Sequence, residues 1–190
     1  MPGGADCRAR PRHGPADPAT RPYLATDVMS GYERVLERRD LPRRVAERAA
    51  KTIVADVEPL VAFWDTSQES LDEGLATVLG QVAAIPGLEV VCFATNSARC
   101  PRVIPAAPGI RVMYLSSARK PLRIAPYQDL PRPGIVIGDQ VATDGVLARR
   151  LGYTFLQYTP CLEGVPAGPR LLQRCGEFAV PFLFKGSRRS

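Results

Sequence analysis

A three-layer α/β fold, with helices on both faces of a parallel sheet, is what this sequence predicts. Three observations carry that prediction. Short apolar runs recur along the chain, and they are continuous rather than alternating, as in strands buried on both faces. Segments of helical period lie between them. Strand and helix alternate instead of clustering by type, the pattern of a parallel sheet with crossover helices.

The elements follow in chain order. Residues 1–22 are rich in Pro, Gly and Arg, lack periodicity and read as a disordered leader. "YERVLERRDLPRRVAERAAK" reads as a charged helix, broken or restarted at Pro42. "EPLVAFWD" is an apolar run closing on an acid, and it predicts a first strand near 59–65. "ESLDEGLATVLGQVAAI" sets Leu71, Leu75, Val78, Leu79 and Val82 on one helical face. "LEVVCFATN" and "IRVMYLS" predict strands near 88–95 and 110–115. "LRIAPYQDL" is a short helix cut at Pro126. "GIVIGDQ" and "YTFLQYT" are strands near 134–138 and 153–158, flanking the helix "ATDGVLARRLG". "PRLLQRCGEFAVPFLF" reads as a last helix whose Phe182, Leu183 and Phe184 cover the core, and 185–190, "KGSRRS", is a basic tail. Residues 23–184 thus form a single domain with a Rossmann-like parallel sheet. The stretch from Thr66 to Leu88 holds little more than one helix, which excludes a large cap domain.

Composition narrows the class. A 45% hydrophobic and 23% charged chain of 190 residues suits one soluble globular domain. No apolar run approaches the roughly 18 residues of a membrane span, and the first residues lack the apolar core of a secretory signal. Five cysteines (Cys7, Cys92, Cys100, Cys161 and Cys175) form no C-x-x-C pair. That pattern suits reduced thiols in a cytoplasmic protein, with Cys92 as core filler. The net charge of +6 admits an anionic partner. The excess of Arg over Lys, with abundant Ala, Gly and Pro, instead fits a GC-rich coding sequence. No aromatic-and-basic module argues for nucleic acid. The lone His13 falls in the leader.

Ligands of parallel sheets bind at the carboxyl ends of the strands, so the polar residues there are the candidates. These are Asp65-Thr66-Ser67, Thr95-Asn96-Ser97, Lys120, and Asp139 with Asp144. Two carboxylates closing a buried strand suit magnesium, which takes carboxylate oxygens and keeps waters and a substrate phosphate as further ligands. A hydroxyl and a lysine suit the phosphoryl oxygens. Read separately, Asp144 is a helix cap, Thr95-Asn96 a turn and Lys120 a solvated lysine.

Taken together the motifs resemble the haloacid dehalogenase superfamily, specifically the YqeG-type phosphatases of subclass IIIA, over roughly residues 55–165. "VIGDQVATDGVLARRLGYTFLQYTP" is similar to the group's G-D-Q-x-x-T-D fourth motif, "VVCFATNSAR" to its second and "ARKPL" to its third. The resemblance implies phosphate binding by Thr95, Asn96 and Lys120. It implies a magnesium ion held by Asp139 and Asp144, with Asp65 as a further ligand. The family's first motif, D-x-D-N-T-L, supplies an attacking Asp and an acid/base Asp, and here the sequence departs. Two registers are open for "VAFWDTSQES". With "WDTS" over D-N-T-L, Ala62 and Trp64 replace both acids. With Asp65 as the nucleophile, Ser67 takes the acid/base position. Either register leaves the pair incomplete, so the resemblance implies weak or absent hydrolysis of phosphate monoesters and weak magnesium binding. The alternative is a non-catalytic module that binds a phosphorylated small molecule, a phospholipid headgroup or a protein.

Overall fold

The computed structural model describes residues 31–63, 65–159, 176 and 180–184. The leader 1–22, Trp64, the tail 185–190, His13, and Cys7, Cys161 and Cys175 lie outside the described residues, as does most of the expected last helix.

Six strands form one all-parallel sheet in the order β1-β6-β5-β2-β3-β4. They are β1 (Tyr32–Val35), β2 (Thr52–Asp56), β3 (Val90–Ala94), β4 (Arg111–Leu115), β5 (Gly134–Gly138) and β6 (Thr154–Tyr158). Helices α1 (Leu41–Ala46), α2 (Gln68–Val82) and α3 (Val146–Leu151) join them. Residues of β2, β3 and β5 are buried throughout, which explains their continuous apolar runs. Each strand sends alternate side chains to opposite faces. Ile53, Ala55, Val91, Phe93, Ile135 and Ile137 meet Leu41 and Val45 of α1 and Leu71, Leu75 and Leu79 of α2. Val54, Cys92, Val136 and Phe155 meet Leu147 and Leu151 of α3 on the other face. This is the expected three-layer α/β architecture, and among the described residues there is no large cap domain. Phe184 is buried and stacks on Tyr32 and Phe155, whereas Phe182 is exposed. Among the described residues no helix is long and apolar enough to cross a membrane.

Two elements differ from expectation, and both differences bear on the site. The first strand of the central sheet is not near 59–65; it is β2, Thr52–Asp56. Proline cannot donate to a ladder and does not occur inside a central strand, and β2 lies between β5 and β3. The strand therefore closes before Pro59, and 57–63 fold into turns behind it. The charged helix beginning at Tyr32 is also corrected. Tyr32–Val35 pairs with β6 as an edge strand, and only Leu41–Ala46 is α-helical.

Helix α2 matches its predicted register, with Leu71, Leu75, Val78, Leu79 and Val82 buried and Ser67 capping it by accepting from the Ser70 amide at 3.2 Å. Its Gly74 is a packing residue, since a Cβ there would overlap the Val61 carbonyl oxygen. In an open helix Gly→Ala stabilises by up to about 1 kcal/mol. Gly74→Ala is expected instead to destabilise by about 1–3 kcal/mol, as thermal unfolding would show.

Candidate metal and phosphate site

The sheet reverses its winding at β2. The chain moves from β2 to β3 and β4 on one side, then returns to β5 and β6 on the other. The crevice beyond the carboxyl ends of β2 and β5 is therefore the topological switch point, where open α/β sheets bind ligands. Asp56 is the last residue of β2, and Asp139 follows β5 directly. A π-helical turn, Val141–Gly145, carries Asp144 back toward the strand ends. Such turns are rare and concentrate at functional sites. Gly138 makes room for this return, because a Cβ there would overlap the Asp144 carboxylate.

Asp56, Asp139 and Asp144 each offer an oxygen, and these oxygens lie within 4.8 Å of one another. All three residues are buried. Lys120 Nζ donates to Asp56 Oδ1 at 2.7 Å and to Asp144 Oδ1 at 2.8 Å. Asp144 is thus no helix cap, and Lys120 is no solvated surface lysine. Burial raises the Asp56 carboxyl well above the usual range, and the Asp144 charge raises it further, against the pull of Lys120. Burial alone would lower the Lys120 ammonium, but Asp144 and Asp56 outweigh it and hold the proton more tightly than in an ordinary lysine. Among the described residues, three carboxylates and one ammonium meet here. An all-oxygen donor set suits a hard cation, so this buried triad could bind a metal ion.

A second network adjoins the first. Thr95, fully buried, donates from Oγ1 to Glu58 Oε2 at 2.7 Å. The Ser97 amide donates to Thr95 Oγ1 at 3.0 Å, and Ser97 Oγ lies 3.5 Å from Glu58 Oε1. Asn96 turns away from this network to bond the backbone of Lys120. On the far side, Gln157 Nε2 donates to the Asp139 carbonyl at 3.0 Å, and Gln157 Oε1 accepts from Tyr32 Oη at 2.6 Å. Burial pushes the Cys92 thiol up to about 12, consistent with inert core filler.

The structure therefore brings together Lys120, Asp139 and Asp144, while the Thr95 hydroxyl bonds Glu58 and Ser97. It does not bring Asp65 to them. Asp65 is exposed on a turn outside the acidic triad. Arg99 fixes that turn, donating to the carbonyls of Phe63 at 2.9 Å, Thr66 at 2.8 Å and Ser67 at 2.8 Å. The third triad acid is Asp56, and with Glu58 it was missed. Their signal was the run "TIVADVEP", a β-branched strand closing on an acid before a proline.

Fold and site together define a doubly wound parallel α/β protein with a buried carboxylate triad at its switch point. Comparison with protein-family models, with curated proteins and with solved structures finds no match to this chain.

Proposed function

We propose that this chain is a magnesium-dependent phosphate monoester hydrolase of the haloacid dehalogenase type, with Asp56-Val57-Glu58 in the place of the first motif. One observation carries the reading: Asp56 closes a central strand with Asp139, Asp144 and Lys120 grouped around it. Chain order supports it too, since an acid, a hydroxyl (Thr95), a lysine (Lys120) and an acid pair (Asp139 and Asp144) succeed one another as in the resemblance.

In this reading Asp56 Oδ attacks phosphorus and the ester P–O bond breaks, leaving a phosphoryl group on Asp56. Glu58 gives its proton to the departing alkoxide. It then takes a proton from water, whose oxygen attacks the phosphoryl group and releases inorganic phosphate and free Asp56. Thr95 and Lys120 hold phosphoryl oxygens, and Lys120 offsets their charge. Asp56, Asp139 and Asp144 would hold the magnesium ion, which supplies charge neutralisation on the phosphoryl group when bound. The link between β2 and α2 is too short to hold a cap domain. The expectation of a crippled site rested on the acids around Trp64; with Asp56 and Glu58 at the strand end, an acid pair is present.

Assay against p-nitrophenyl phosphate and a panel of phosphate esters, in magnesium and in EDTA, tests this. Turnover that requires magnesium is expected. A second reading, a phosphate-binding module, is favoured by the ion pairs through which Lys120 already occupies Asp56 and Asp144. Thermal stabilisation by magnesium and phosphate without turnover on any ester would select it. Absence of both turnover and stabilisation overturns both readings.

A further inference from the structure

Asn96 was expected to bind phosphate, but its amide is already engaged. Nδ2 donates to the Lys120 carbonyl at 3.0 Å, and Oδ1 accepts from the Lys120 amide at 2.7 Å. One side chain thus grips both backbone polar groups of a single residue, as a neighbouring strand would. We infer that Asn96 is the positioning residue for Lys120 and is not a ligand of phosphate.

The loop that Asn96 grips has main-chain bonds of its own, from Leu122 N and Arg123 N to the Arg119 carbonyl at 2.8 and 3.1 Å, but neither engages the amide or carbonyl of Lys120. Ser117 and Arg119 have φ of 48° and 54°, left-handed values that a non-glycine residue rarely adopts. Such a conformation persists where its surroundings over-determine it. Two main-chain bonds tie the loop to the end of β3, Ser117 N to Ser97 O at 2.7 Å and Ala118 N to Thr95 O at 2.8 Å. Neither reaches Lys120; Asn96 does. The position of Nζ between Asp56 and Asp144 therefore depends on the two amide bonds. A lysine side chain has four rotatable carbons and little shape of its own, so its aim is set by where its backbone is anchored. The link also explains why Thr95 and Lys120 share a site although their elements run separately. Asn96 follows Thr95 in sequence, so the hydroxyl and the ammonium are fixed relative to each other through one residue.

The functional weight of this inference rests on the reading of Lys120 as the phosphate-holding cation, but its test does not. The chain has three lysines, Lys51, Lys120 and Lys185. In protein labelled with 15N at lysine Nζ, a buried ion-paired ammonium gives a solvent-protected signal, identified by its loss in Lys120→Arg. Asn96→Ala is expected to move that signal or broaden it into solvent exchange, leaving the Lys51 signal in place. Asn96→Asp retains the acceptor, so it should keep part of the protection, and it serves as the probe if the alanine variant does not fold. By calorimetry with inorganic phosphate in magnesium, Asn96→Ala should weaken binding by about tenfold, the worth of one hydrogen bond. It should weaken it no further when Lys120 is already methionine. An unmoved Lys120 signal in folded Asn96→Ala overturns the inference, as does an undiminished Asn96→Ala effect in the Lys120→Met background. A Lys120 signal that moves in protein showing no phosphate binding upholds the positioning and overturns the phosphate reading.

Discussion

Asp56→Asn is expected to lower kcat on p-nitrophenyl phosphate by at least about 10³-fold, the scale of loss when a covalent nucleophile is removed. Asparagine keeps the volume and the hydrogen bond from Lys120, so the fold should survive and the loss reports chemistry. Glu58→Gln should cost about 10²–10⁴, the contribution of a proton donor to the leaving group, and the cost should shrink for esters with good leaving groups such as nitrophenol. Asp65→Ala is expected to stay within about twofold, as an exposed turn residue should. The comparison of Asp56 with Asp65 is decisive because the two acids imply different strands. Turnover lost in Asp65→Ala and kept in Asp56→Asn would overturn the assignment of the nucleophile and, with it, the use of the β2 end as the site.

The misplaced first strand of the central sheet shows how far the sequence could be read. Strands β3, β5 and β6 and helix α2 were legible because burial on both faces, or on one helical stripe, imposes a pattern that little else imitates. Asp139 and Asp144 were legible because a strand, a glycine and an acid pair succeed one another without interruption. The strand that ends at Asp56 was obscured by two apolar runs in sequence, "TIVADV" and "LVAFW", of which only one is in the sheet. The second run is more hydrophobic, and it too ends on an acid. The pairing of Thr52–Asp56 with β3 and β5 decides between them; Pro59 alone does not, because proline is admitted as the first residue of a strand. The short segment at Tyr32 looked helical from its charges, because an edge strand with one wet face lacks the continuous apolar signal. The role of Asn96 was beyond sequence reading altogether, because it depends on a tertiary contact between two loops.

Lys120→Met is expected to destabilise the metal-free protein by about 3–5 kcal/mol in urea unfolding, the usual cost of breaking a buried ion pair from one side. Methionine fills most of the space, so the loss measures charge. The lysine side chain is 2% exposed, and its partners Asp56 and Asp144 are 11% and 0% exposed. Without the ammonium, Asp56 and Asp144 lose the cation they share. The sign of the pH dependence follows. Burial already raises the Asp56 carboxyl, and loss of Lys120 raises it further. The folded variant then binds a proton that the unfolded chain releases near pH 4, so its stability falls as pH rises from that value through the raised one. The deficit against the parent protein should therefore be larger at pH 8 than at pH 5. Magnesium should recover part of it by mass action, because the cation binds the folded triad and not the unfolded chain. Asp144→Asn in the Lys120→Met background should recover part as well, by removing one of the opposed charges. Lys51→Met is the control: its ion pair with Glu89 is about half exposed and is worth under about 1 kcal/mol. If Lys120→Met costs no more than that control, the buried charge cluster does not exist in solution, and neither does the metal site built on it.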